Sequence, residues 1–156
     1  MLPKSVALLV ISCGILVLAG EKTKVTKCTN GAQLPIEVNI PGCSTPPCAI
    51  KLGESISAYV NFTAPLHTYA LKAKAIATTS IIPFPVDYPL PQPNACKALT
   101  NTHCPLEINE PAQYKLEMPI SDKFPSLDFL LRIYLEANDE KDNIATCFEV
   151  LCKTVN

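Results

Sequence analysis

Residues 55–62 read Ser55-Ile56-Ser57-Ala58-Tyr59-Val60-Asn61-Phe62, and this stretch decides the fold. Ile56, Ala58, Val60 and Phe62 occupy every second position, with Ser55, Ser57, Tyr59 and Asn61 between them. A period of two marks a strand with one dry and one wet face, because successive side chains point to opposite sides of the pleat. Asn61-Phe62-Thr63 is also an N-glycosylation sequon. Its asparagine falls on the polar face, where a glycan has room.

The same alternation recurs on either side. Tyr114, Leu116, Met118 and Ile120 alternate with Gln113, Lys115 and Glu117. Leu127, Phe129, Leu131, Ile133 and Leu135 alternate with Asp128, Arg132, Tyr134 and Glu136, and Phe148, Val150 and Cys152 with Glu149 and Lys153. Residues 25–28, 36–40 and 69–79 are further candidates, and no segment carries a convincing helical period. The expected class is all-β: an immunoglobulin-like sandwich of about seven antiparallel strands.

Two segments depart from an ordinary sandwich. Leu71, Ala73, Ala75 and Ala77 give one strand a core face made mostly of alanine. Interiors pack to a density of about 0.75, so the volume left by small residues must be filled. Either large residues of the opposite sheet fill it, or a cavity lies between the sheets. Residues 81–94 carry Pro83, Pro85, Pro89, Pro91 and Pro93, interleaved with Ile82, Phe84, Val86, Tyr88 and Leu90. Alternate prolines remove ladder donors and fix φ, so this stretch is extended, stiff and unfit for a central strand. Its apolar groups either cover a core edge or form the lip of a hydrophobic pocket. The two segments adjoin in sequence, which favours the pocket.

Residues 1–19 read as a signal peptide: Lys4 precedes the apolar run 6–18, and Val17 and Ala19 suit the cleavage positions. That run is short for a membrane span of about 20 residues. Residues 20–156 then fit one exported domain, secreted or delivered to an endosomal or lysosomal lumen, in which disulfides are chemically reasonable. A net charge of −1 with no basic cluster argues against a nucleic-acid partner.

Beyond the leader stand seven cysteines. Cys43 and Cys48 flank a Ser-Thr-Pro-Pro turn, and Cys96 and Cys104 bracket a short loop. Cys28 is left to close on Cys147 or Cys152. Those two are five extended residues apart, about 17 Å, against the roughly 7 Å limit for bridged Cα atoms. Cys152 shares a face with Phe148 and Val150 and reads as a buried thiol, with intermolecular pairing the alternative.

Signals for catalysis are thin. The only histidines are His67 and His103, there is no Gly-x-Ser-x-Gly elbow, and the few glycines outside the leader form no phosphate loop. His103-Cys104 lacks the second close ligand pair that a zinc site needs. No enzyme, metal or cofactor is expected.

Several motifs carry a family resemblance. They are Cys28; Val38-Asn39 ahead of Cys43-x4-Cys48; Gly53-Glu54-Ser55; Tyr88-Pro89-Leu90-Pro91-Gln92-Pro93-Asn94-Ala95-Cys96; and Cys104-Pro105-Leu106. Pro119-Ile120, Phe124-Pro125-Ser126 and Cys147-Phe148-Glu149-Val150 complete the set. In this order and spacing the chain resembles the Niemann-Pick type C2 family of the lipid-recognition (ML-domain) superfamily, over nearly all of residues 20–156.

The resemblance implies a sandwich that binds a sterol or fatty acid between its sheets, and the pairs Cys28–Cys147, Cys43–Cys48 and Cys96–Cys104. It also implies a pocket mouth at Tyr88, Pro119, Ile120, Phe124 and Pro125. Behind the mouth, the inward residues Val60, Phe62, Leu71, Ala73, Ala75, Leu131, Ile133 and Phe148 are the expected lipid-binding face. Three positions depart from the family pattern. Tyr88 stands where phenylalanine is familiar, Phe148 where tryptophan is common, and Cys152 is extra. The expected function is a monomeric lipid carrier that hands its cargo to a membrane or receptor. The alternative is a lipid-presenting immune or chemosensory protein acting with a receptor.

Overall fold

In the computed structural model the alternating stretches become strands, and their dry faces close on one another. The structure describes residues 20–156, so the expected signal peptide lies outside the described residues. The strands are β1 (Thr26–Lys27), β2 (Glu37–Asn39), β3 (Cys48–Lys51), β4 (Ser55–Thr63), β5 (Leu71–Thr79), β6 (Val86–Tyr88), β7 (Pro111–Pro119), β8 (Asp128–Ala137) and β9 (Ile144–Val155). One sheet runs β1-β9-β8-β5-β6, with β3 also on β9, and the other runs β2-β4-β7. In chain order the strands pass repeatedly between the two sheets, so the core forms only when distant segments meet.

Alternation and burial agree strand by strand. Ile56, Ala58, Val60 and Phe62 of β4 are at most 3% exposed, as are Leu71, Ala73 and Ala75 of β5. Ala112, Tyr114, Leu116 and Met118 of β7 join Phe129, Leu131, Ile133 and Leu135 of β8 and Phe148, Val150 and Cys152 of β9 in the core. Charges lie on the outer faces, where Lys74 pairs with Glu136 at 2.7 Å, Arg132 with Glu149 and Lys115 with Glu117. The 139–142 run is the polar β8–β9 turn, entered through Asn138 and Asp139 at φ 57° and 56°. Asparagine and aspartate tolerate that left-handed backbone best after glycine.

The described residues hold nine strands where about seven were expected. The additional two are short. Cys48–Lys51 pairs with β9 and is the one parallel strand pairing among the described residues. Val86–Tyr88 pairs with residues 75–77. This second strand lies within the proline-rich stretch, at a sheet edge as its prolines require. Past it, Ala73 N–H donates to the Pro93 carbonyl at 2.8 Å. The stretch therefore runs back along β5 and covers its free edge, and Asn94 then caps a short 3-10 helix at Ala95–Ala98.

Among the described residues three disulfides form, Cys28–Cys147, Cys43–Cys48 and Cys96–Cys104. The first joins neighbouring strands of one sheet, since Lys27 lies opposite Phe148. The two short ones clamp the β2–β3 and β6–β7 connections, where the chain changes sheet. Cys152 is a free, buried thiol.

Burial pushes the Cys152 thiol from an ordinary 9.0 up to about 12, and the Tyr114 phenol from 10.0 up to about 12. Both groups hold their protons longer in the folded state. Their contribution to stability is therefore full below about pH 9 and is lost as pH rises toward 12, at about 1.4 kcal/mol per pH unit for each group. Denaturant titrations between about pH 8 and 11 should show this fall. Cys152→Ala should remove the part that begins near pH 9 and keep the part that begins near 10.

Candidate functional site

Tyr88 is placed by β6, where it lies opposite Ala75 of β5. Its hydroxyl donates to the carbonyl of Pro119, the last residue of β7. Its ring meets Phe124 edge-on, with centroids 6.1 Å apart and planes at 68°. Pro119 and Phe124 belong to a well-anchored loop. Ile120 N–H donates to the Glu54 carbonyl at 2.8 Å and the Ile120 carbonyl accepts from Gly53 at 3.0 Å. Downstream, the Thr154 hydroxyl donates to the Pro125 carbonyl at 3.1 Å and accepts from Leu127 N–H at 2.8 Å. Tyr88, Pro119 and Phe124, distant in sequence and expected at the mouth, thus meet at the end of β7.

The expected site residues divide into two groups. Tyr88, Pro119, Phe124 and Pro125 are wholly or partly exposed at the rim, and Ile120 is buried beneath it. Val60, Phe62, Leu71, Ala73, Ala75, Leu131, Ile133 and Phe148 all belong to the buried cluster between the sheets. Register separates their depths. Val60 pairs with Tyr114, five residues before Pro119, which is about 17 Å along the strand. Phe62 and Leu71 lie towards the far end of the sandwich. Near the rim stand residues absent from the expected set: Ile56 opposite Met118 on one sheet, and Val150 opposite Leu131 on the other. The alternation had marked these as inward. Only the register could say which inward residues neighbour the mouth.

Upstream of Tyr88 in the proline-rich stretch, Ile81, Phe84 and Val86 are 69%, 63% and 36% exposed, and Phe124 is 41% exposed. A separate depression of about 370 Å³ lies against residues 69–72, Pro93, Asn94, Cys96 and Asp139. Of the expected lining it takes in Leu71 alone. Lys72, Asn94 and Asp139 stand among its apolar lining residues, and neither Tyr88 nor Phe124 belongs to it.

The chemistry on offer is apolar contact with a little hydrogen bonding. Among the described residues no three His, Cys, Asp or Glu side chains gather as metal ligands, and Cys104 is committed to Cys96. His67 lies 3.5 Å from Glu107 on the surface. Asn61 faces outward from β4, its Oδ1 accepting from the Gln113 amide at 2.9 Å. No helix among the described residues is long and apolar enough to cross a membrane.

A family model described as the ML domain matches residues 22–154. Among curated proteins, the NPC intracellular cholesterol transporter 2 of Bos taurus is 28% identical over 130 residues, 83% of each chain. Its Mus musculus counterpart is 30% identical over 114 residues, covering 73% of this chain and 72% of its own. The NPC intracellular cholesterol transporter 2 homolog a of Drosophila melanogaster is 27% identical over 146 residues, 92% and 95% of the two chains. A crystal structure of a Niemann-Pick type C2 protein from Japanese carpenter ant superposes with a TM-score of 0.72 at 24% identity. It covers 85% of this chain and 99% of that one, and at this identity it speaks for the fold.

Proposed function

The chain belongs to the ML-domain family, and from that premise we propose that it is a lipid carrier, burying a sterol or fatty acid between its two sheets and transferring it without any chemical step. The observation that supports this reading is the cluster of Tyr88, Pro119 and Phe124 beside an inward face on which Ala75 lies opposite Tyr88. A small-residue face beneath an aromatic rim at the meeting of two sheet edges suits a flat or slender apolar ligand. Burial returns about 25 cal/mol per Å² of apolar surface. A sterol hides several hundred Å², so several kcal/mol remain after the cost of association.

Transfer needs a surface on which cargo leaves. Ile81, Phe84, Val86 and Phe124 project beside the rim, and a membrane or receptor that covers them would accept the lipid without exposing it to water. The same groups favour a second reading, in which the loaded protein presents its lipid to a receptor. A pull-down that depends on bound lipid distinguishes the two, since a simple carrier forms no such complex. The carrier acts as a monomer in an extracellular or endosomal–lysosomal lumen, with a glycan on Asn61 over the outer face of the smaller sheet.

Native mass spectrometry of the secreted protein tests the proposal. The expected result is a one-to-one adduct that releases a sterol or fatty acid on denaturation. A bare mass that also refuses added sterols and fatty acids would leave a filled-core interaction domain as the better reading.

A further inference from the structure

We propose that the hydrogen bond from the Tyr88 hydroxyl to the Pro119 carbonyl is a latch joining the free edges of the two sheets, and that its opening sets how fast lipid is loaded and released. The latch rests on the mouth proposed above.

β6 is the outermost strand of the larger sheet and β7 an outermost strand of the smaller. The Tyr88–Pro119 bond spans the gap between these edges, beyond the part of β7 that Leu99 and Thr100 cover at Tyr114 and Gln113. Phe124, seated edge-on to the Tyr88 ring, closes the same gap with apolar surface.

The two halves are unequally held. Pro119 ends a strand paired with β4 over nine registered positions, and the next residue is fixed by bonds to Gly53 and Glu54. Tyr88 ends a strand of three residues, paired only with residues 75–77. Upstream of it the chain is exposed at Ile81 and Phe84, and Pro85 and Pro89 on either side have no N–H to add to the ladder. The moving half is therefore β6, pivoting on the Ala73–Pro93 bond, and the latch opposes that movement. The phenol is a donor at neutral and acidic pH in any case, and burial, which raises the Tyr88 pKa above its ordinary 10.0, extends that into the alkaline range. Phenylalanine at this position keeps the ring contact and loses the bond.

Tyr88→Phe isolates the latch. Stopped-flow fluorescence with dehydroergosterol and with cis-parinaric acid should show association and dissociation both accelerated by about three- to tenfold, the factor set by one ordinary hydrogen bond. In ligand-free protein, amide exchange of residues 86–88 should quicken by a similar factor. Unchanged rates and unchanged exchange would overturn the latch. Faster dissociation with unchanged association would also overturn it, because the hydroxyl would then be holding the lipid head group. Quickened exchange in a protein whose wild type binds neither probe would leave the latch standing and overturn the carrier reading alone.

Discussion

Ala75→Phe is expected to abolish lipid binding while leaving the sandwich folded. Ala75 is 2% exposed and lies opposite Ile133 on one side and Tyr88 on the other. It is therefore the small core residue opposite Tyr88, directly under the proposed mouth. A benzyl group placed there takes the room of at least four ligand carbons, and each methylene no longer buried costs about 0.8 kcal/mol. That amounts to about 3 kcal/mol, or more than a hundredfold in affinity, before any clash is counted. Overpacking costs the fold about 1–3 kcal/mol, which a domain stable by about 5–15 kcal/mol survives. Native mass spectrometry and fluorescence titration read the loss of binding, and a cooperative melt with an unchanged β spectrum shows that folding is intact. Stoichiometric binding by a folded Ala75→Phe protein would place the lipid somewhere other than beneath β5.

The prediction depends on register, and register is what the sequence conceals. Period-two alternation is legible in β4, β7 and β8 because each runs nine or ten residues with one face dry. It cannot reveal β3, whose four residues pair with a strand about a hundred positions away, or β6, whose three residues sit among prolines. Nor does alternation tell how far an inward residue stands from the rim. Alternation therefore does not separate Val60 and Phe62 from Ala75, nor does it single out Ile56 and Met118, which lie closer to Pro119. The rim came from the family resemblance, since Tyr88 and Phe124 lie on separate loops with no local pattern to link them.

Cysteine pairing shows the same boundary. The sequence left Cys28 facing Cys147 or Cys152, and only the resemblance chose. The structure supplies a physical reason. With Lys27 opposite Phe148, Cys28 falls beside Cys147 at the outer end of β1. Cys152 instead lies in register with Cys48 and Phe129, on the core side of the sheet and out of reach of Cys28.

Removing that long bridge should have the largest effect on stability. Cys28→Ala with Cys147→Ala opens a loop of sequence separation 119, worth about 5 kcal/mol in the chain-entropy model. That is a third or more of a typical domain's stability, and the melting temperature should fall by roughly 15–20 °C. The bridges of separation 8 and 5 should cost about half as much on the same model. β1 gives the comparison its edge, because besides the bridge only two registered pairs and the bond from the Thr26 hydroxyl to the Glu149 carbonyl are seen to hold it to β9. The nearby bonds that Gln33 accepts from Cys147 N–H and the Thr146 hydroxyl belong to the following loop. If all three double variants melt alike, loop length is not what the long disulfide contributes, and β1 is held by its packing. If the long-bridge variant stands apart, the cross-link supplies stability without taking a place in the core cluster between the sheets, which suits a carrier that is to admit a ligand there.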